Sequence, residues 1–346
     1  MLNNIKKNIE QELAEFIISL NKKYKLSKLS PLLYKSLIDF LNRPGKRIRP
    51  LLFILSYKGF SKKKPKGLYR SALALELLHC FLLIHDDILD NADIRRDKPS
   101  MHVLLSNYLS SSSEKQSIGM SLALITGDLI YALAIDSFMA INESFEKKQK
   151  ALLKFIESGF YTGCGEFVEI VNSRKEIKQI SKKEIYQTYD YKTAYYTFSA
   201  PIITAAILAG AKNSEIKKLF KFGKYCGRAF QIKDDILGIF AEINQTGKSN
   251  LSDIQENKKT LLVWYAYKHA NHTEKTRLKN ILGEKKLSNQ DITDMRRILR
   301  DSGSLRYCLN LIKNLTRKSI KALKTSQLKK NYQREMICYC QEILKI

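Results

Sequence analysis

Apolar residues return every third or fourth position along most of this chain, and no alternating strand pattern bounded by turn residues occurs. Helices are predicted over about 3–22, 31–41, 47–60, 68–91, 118–142, 146–171, 182–210, 213–241 and 256–270, with further stretches to 345. Pro44-Gly45 marks a turn, and Pro50 sits where a first helical turn tolerates proline. Ser110 to Ser113 and Asn244 to Asn257 read as polar loops. No linker or fixed-period repeat divides the chain. The expectation is all-α: one large helical domain over residues 1–346.

Composition fits this pattern. A chain of 346 residues can bury a sizeable core, and its scarce Gly (15) and Pro (6) suit helices. Charge adds a second constraint. With 60 Lys+Arg against 34 Asp+Glu the net charge is +26, which favours phosphates, nucleic acid or a membrane surface. The lysines at 62–64, 182–183, 217–218, 285–286 and 329–330 are dispersed, as solvated helix faces of a lysine-rich chain also are. No zinc-finger spacing, aromatic RNA-binding motif or basic zipper occurs, so a nucleic-acid role rests on charge alone.

Six cysteines at 80, 164, 226, 308, 338 and 340 form no Cys-x-x-Cys pair, which suits reduced thiols in a cytoplasmic protein. The N-terminal stretch lacks the pattern of a signal peptide, and the longest apolar run, Ala200 to Ala211, is too short to span a bilayer. A soluble, cytoplasmic protein is expected, with peripheral membrane contact through its charge left open.

The chemistry concentrates in two stretches. In "LLIHDDILDNADIRRDKPSMH", Asp86 and Asp90 are four apart and share a helix face, with Asp87 about 100° round the axis. The helix before them is apolar on most sides, through Leu75, Leu78, Phe81, Leu82 and Ile84. Unpaired carboxylates at such an end repel one another, and hard divalent cations remove that cost. Alone, the motif is also what a solvated helix end carries. A second stretch, "GRAFQIKDDILGIF", puts Asp234 and Asp235 in another apolar helix, after Gln231. Two such helices suggest a facing pair that holds metal.

Cations complete the pattern: Lys46, Arg47 and Arg49 after the turn, then Arg95 and Arg96, Lys192 beside Thr193, and Lys248, Lys258 and Lys259. Arg grips phosphate oxygens bidentately and Lys acts as a point charge. Each is by itself an ordinary surface residue. Together with the carboxylates they describe room for two diphosphates, one held through metal and one held directly.

In order, the motifs GKRIRP, HDDILDNADIRRDKP, YKTA, FQIKDDILG and GKSNLSDIQENKKTLL resemble the trans-isoprenyl diphosphate synthases, or polyprenyl synthetases, over roughly residues 40 to 265. The form of the motifs is most similar to short-chain geranylgeranyl diphosphate synthases. The resemblance implies an all-α bundle of isoprenoid synthase type around a deep central cavity, usually a homodimer. It also implies head-to-tail condensation of an allylic diphosphate (dimethylallyl, geranyl or farnesyl) with isopentenyl diphosphate, assisted by Mg²⁺, three ions once diphosphate is bound.

By position, the resemblance assigns Asp86, Asp90 and Asp234 to metal, supported by Asp87 and Asp235. Arg95, Lys192, Lys248 and Lys258 would neutralise the leaving diphosphate. Lys46, Arg49, His79 and Arg96 would hold isopentenyl diphosphate, and Thr193 and Gln231 would sit beside the reacting carbons. His85 and His102 are expected to be packing or supporting residues. Gly238 stands where many members carry a third Asp, which leaves the metal shell on that side less defined. Phe81, five residues before Asp86 and so about 7.5 Å back along the axis, would floor the product tunnel, with Leu82 and Leu78 lining it. An aromatic there implies a C20 product, geranylgeranyl diphosphate. Farnesyl or longer polyprenyl products are the alternative. More distant rivals are a class I terpene cyclase, a non-enzymatic partner subunit of a heteromeric synthase, and a basic nucleic-acid-binding protein.

Overall fold

The computed structural model describes residues 1–108, 114–241 and 251–346. Its contacts gather the chain into two compact units, residues 1–155 with 203–211, and residues 156–202 with 212–346. The expected polar loop at Ser110 to Ser113 lies outside the described residues, as does the first half of the second loop, 244–250.

The first unit begins with α1 (Leu2–Tyr24), α2 (Leu26–Leu29), α3 (Pro31–Leu41) and α4 (Ile48–Phe60). Ser30 caps α3 by accepting from the Leu33 N–H at 3.2 Å, with Pro31 in the first turn. Arg47, in the left-handed region at φ 48°, ends the Pro44-Gly45 turn and starts α4. Next come α5 (Leu68–Leu89), α6 (Met101–Tyr108), α7 (Lys115–Phe138) and α8 (Phe145–Ser173), which runs on into the second unit. Leu73, Leu75, Leu77 and Leu78 are fully buried. Such complete enclosure explains why α5 is apolar nearly all round.

Between α5 and α6 a two-stranded hairpin pairs Ile94 with Pro99 and Arg95 with Lys98. The sequence predicts no strand here. Arg96 and Asp97 both take positive φ, 56° and 58°, which is the type I′ geometry that closes two-residue hairpins. Neither is glycine, so periodicity gave no hint of it.

The second unit also holds α9 (Lys182–Tyr189), α11 (Asn213–Phe240), α12 (Ser252–Gln255), α13 (Leu261–His269), α14 (His272–Ile281), α15 (Asn289–Asp301), α16 (Ser304–Lys324) and α17 (Lys330–Leu344); α10 (Ala200–Leu208) runs from this unit into the first. Capping boxes Ser181/Glu184, Asn271/Glu274 and Ser288/Asp291 start α9, α14 and α15. Two predicted helices are corrected. The stretch 182–210 is not one α-helix, because Asp190–Ser199 is wound as a π-helix between α9 and α10. The predicted 256–270 helix starts later, at Leu261, because the Thr260 side chain caps it, accepting from Val263 N–H at 3.3 Å.

Glycines let the π-helical stretch sit close to α11. A Cβ at Gly223 would meet Ser199 Oγ at 2.5 Å, and one at Gly227 would strike the Ala194 backbone. Wide π turns are frequent at functional positions, and this one carries Lys192 and Thr193.

Candidate functional site

In the first unit the acidic motif closes α5. Asp90 N–H donates to Asp86 O at 2.8 Å, so the two residues stand one turn apart, both half-buried. Asp87 is fully buried and takes Arg95, whose Nε donates to Asp87 Oδ1 at 2.7 Å. Arg95 Nη2 also reaches Asp86 Oδ2 at 3.5 Å. Burial alone would lower the Arg95 pKa, but Asp87, Asp86 and Asp90 outweigh it and keep the guanidinium charged. The hairpin is what turns Arg95 back onto the helix it follows.

A basic cluster forms around Glu76, one turn before His79 on α5. Arg47 Nη1 lies 2.7 Å and Arg96 Nη2 3.4 Å from Glu76 Oε1. Arg47 is further held by Glu10 of α1 at 2.8 Å and by the carbonyls of Leu41 and Arg43. Burial pushes the Glu76 carboxyl up, yet Arg47, Arg96 and Arg49 together bring it below its usual range. His79 is pushed well below the ordinary imidazole value, by burial first and then by Arg49, Arg96, Arg95 and Arg47. It is therefore neutral. Arg49 is buried and Lys46 exposed. Of the four residues assigned to isopentenyl diphosphate, Arg49, His79 and Arg96 fall in one electrostatic neighbourhood, with Arg47 as its buried support.

Phe81 makes tilted ring contacts with two partners, His85 with centroids 4.6 Å apart and Tyr131 of α7 at 5.0 Å. His85 Nε2 lies 3.5 Å from Asp128 Oδ1, and His102 Nδ1 lies 3.3 Å from Ser100 Oγ. Leu82 is half-buried, while Leu78 is wholly enclosed.

In the second unit one chain of hydrogen bonds links five residues, four of them in the motifs. Thr193 Oγ1 donates to Gln231 Oε1 at 2.5 Å, and Gln231 Nε2 donates to Asp235 Oδ1 at 2.9 Å. Tyr189 O–H donates to Asp235 Oδ2, and its oxygen accepts from Leu261 N–H at 2.8 Å. Burial, then the charge of Asp253, pushes the Asp235 carboxyl well above its usual range; Tyr189 and Gln231 oppose that shift. Asp234, its neighbour, is exposed. The pair is thus split by burial into one anchored carboxyl and one presented outward.

Lys192 contacts Glu166 at 2.7 Å and Glu169 at 2.5 Å, both on α8. Gly165 permits this approach, since a Cβ there would stand 2.5 Å from Lys192 N. Lys258 pairs with Glu256 at 2.7 Å and Asp253 at 3.4 Å. Lys248 lies outside the described residues. The sequence reading missed Glu76, Glu166, Glu169 and Tyr189. Glu76 left a signal, since it is the only charged residue between Arg70 and Asp86 in an otherwise apolar helix.

Helices bearing carboxylates at their ends beside arginine and lysine clusters define an isoprenoid-synthase-type fold with a diphosphate-handling site, and known proteins agree. The geranylgeranyl pyrophosphate synthase of Corynebacterium glutamicum, complexed with isoprenyl diphosphate and magnesium, shares the fold with a TM-score of 0.89 at 22% identity, over 100% of this chain and 99% of that one. The polyprenyl synthetase family matches residues 30–299. The geranylgeranyl diphosphate synthase of Sulfolobus acidocaldarius is 32% identical over 319 residues, 91% of each chain. The geranylfarnesyl diphosphate synthase of Aeropyrum pernix is 32% identical over 276 residues, 78% of this chain and 80% of that one. This chain belongs to the polyprenyl synthetase family and is a prenyltransferase, an isoprenyl diphosphate synthase.

Proposed function

We propose that this enzyme condenses isopentenyl diphosphate with an allylic diphosphate to give geranylgeranyl diphosphate. The observation that carries the C20 assignment is the Phe81 ring, packed against His85 and Tyr131 one to two turns below Asp86. That aromatic layer is suited to stop chain growth. Similarity to geranylfarnesyl diphosphate synthase keeps a C25 product as the second reading.

The donors fit magnesium. Asp86 and Asp90, one turn apart, and exposed Asp234 offer only hard carboxylate oxygens, which Mg²⁺ accepts alongside water and phosphate oxygens. When bound, the metal supplies positive charge against the departing diphosphate. The chain's own part follows from its cations. Arg95 and Lys192, each held by carboxylates in the resting protein, exchange part of that pairing for diphosphate oxygens, and Lys248 and Lys258 join them. Arg49, Arg96, Lys46 and neutral His79 hold isopentenyl diphosphate. Thr193 and Gln231 direct their oxygen dipoles towards the developing carbocation. The released diphosphate takes the proton, as no side-chain base is required.

Both units act in this reading as one catalytic domain, as the span of the family match supports. The enzyme works as a homodimer in the cytoplasm. Ile118, Met120, Leu124, Ile125 and Leu129 leave one side of α7 apolar and exposed, and Phe160 and Phe167 do the same for α8. Among the described residues α7 alone is long and apolar enough to cross a membrane, a property that core and interface helices share. Faces of this kind mark association surfaces.

The test is direct. Purified protein with Mg²⁺, labelled isopentenyl diphosphate and each allylic starter should yield a C20 product. Chelation should stop turnover, and Asp86→Ala and Asp234→Ala should each lower it at least a thousandfold. Full activity in either variant would dismiss the metal assignment.

A further inference from the structure

Residues 302–334 contain nine Lys or Arg and no Asp or Glu. Within this stretch, Arg306, Lys313, Arg317, Lys321 and Lys324 of α16 are all exposed. Their spacings of 7, 4, 4 and 3 keep them on one side of the helix, in a stripe about 27 Å long. Lys318 stands beside it, and exposed Lys330 and Arg334 continue the charge on α17.

The stripe is not simply the lysine richness of the whole chain. On α14 and α15, by contrast, Arg277 meets Asp291 at 2.7 Å and Asp294 at 2.9 Å, and Arg297 meets Glu274, Asp294 and Asp301 at 3.6 to 3.8 Å. None of the five stripe residues makes an ion pair among the described residues. Like charges one turn apart repel, so a row of them is destabilising until anions arrive. The surface is also shaped. Arg317, Lys321 and Lys324 border a shallow hollow of about 440 Å³, with Ile320 and Thr325 completing it. Three cations around a dent with one apolar side chain suit a phosphate headgroup set above hydrocarbon.

We propose that this face of α16 docks the enzyme on an anionic lipid bilayer. The choice of a bilayer over other polyanions rests on the proposed product, a long apolar chain on a charged head, which partitions into membranes once released. Surface attachment would deliver it there without passage through water. The reaction that consumes the product is then one carried out at, or within, a membrane.

The experiment uses the full-length protein and vesicles of phosphatidylcholine with or without phosphatidylglycerol, read by co-sedimentation. Binding should require phosphatidylglycerol and weaken as salt rises. The variant K313Q/R317Q/K321Q/K324Q should lose at least tenfold in binding, while K313R/R317K/K321R/K324R should bind as wild type does. Turnover of dimethylallyl and isopentenyl diphosphates in vesicle-free buffer should be the same for all three proteins. Equal binding to vesicles of both compositions, or undiminished binding by the glutamine variant, would overturn the proposal. Tight binding of single-stranded RNA through the same residues, without vesicle binding, would reassign the face to nucleic acid. Vesicle binding in a wild-type protein without turnover would sink the enzymatic reading instead, and would leave the lipid surface supported.

Discussion

Arg47 Nη1 lies 2.7 Å from Glu76 Oε1, and the two side chains are only 1% and 4% exposed. A buried pair of this kind is weak evidence of net stability, but removing Glu76 leaves Arg47 only the half-exposed Glu10 and two carbonyls as compensation. Glu76→Gln should therefore destabilise the fold by about 1–3 kcal/mol, measured by urea denaturation. Because Glu76 also anchors Arg96, the variant should raise KM for isopentenyl diphosphate about tenfold, with kcat changed far less. The Glu76 carboxyl is held below its usual range, so its contribution is fully present above about pH 4.5 and is lost as pH falls through the folded value. The acid limb of the stability curve should flatten in the variant.

The aromatic cluster at Phe81 predicts product length. Phe81→Ala should shift products beyond C20, and Phe81→Ala with Tyr131→Ala should shift them further, since Tyr131 lies against the same ring. Chromatographic sizing of labelled products decides this. An unchanged distribution with activity intact would remove Phe81 as the floor.

Close packing of the π-helical stretch gives a stability contrast. Gly227→Ala places a methyl group against the Ala194 backbone and should cost about 1–3 kcal/mol, with reduced turnover because Thr193 is displaced. Gly163→Ala on α8 meets no atom within 4 Å and should gain about 0.5–1 kcal/mol. Thermal melts of the two variants should move in opposite directions.

His79 supplies a pH prediction. Its folded pKa is depressed, so the unfolded chain binds the proton first as pH falls below about 6.5. Stability should be unaffected by this group above that pH and should decline beneath it. His79→Gln should reduce that slope, and the imidazole NMR signals of His79 should not titrate between pH 6 and 8.

Legibility in the sequence followed distance along the chain. Asp86 with Asp90 and the FQIKDD stretch could be read directly, because each depends on residues close together on one helix. The π-helical winding could not be read. It depends on Gly223 and Gly227 arriving from α11, and the local sequence of Asp190–Ser199 is compatible with an ordinary helix. Nor could the roles within each cluster. Asp234 and Asp235 are adjacent and chemically identical, yet one is exposed and the other is fastened by Tyr189, 46 positions away.

The sequence by itself determined the helical class, the carboxylate spacing and the supply of cations, since side-chain periodicity and residue chemistry are local properties. Tertiary structure alone decided which cation answers which carboxylate, that Glu76 anchors Arg47 and Arg96, and that Lys192 rests between Glu166 and Glu169. Such pairings are set by how separate helices pack and how much water that packing excludes, and no short window of sequence contains either.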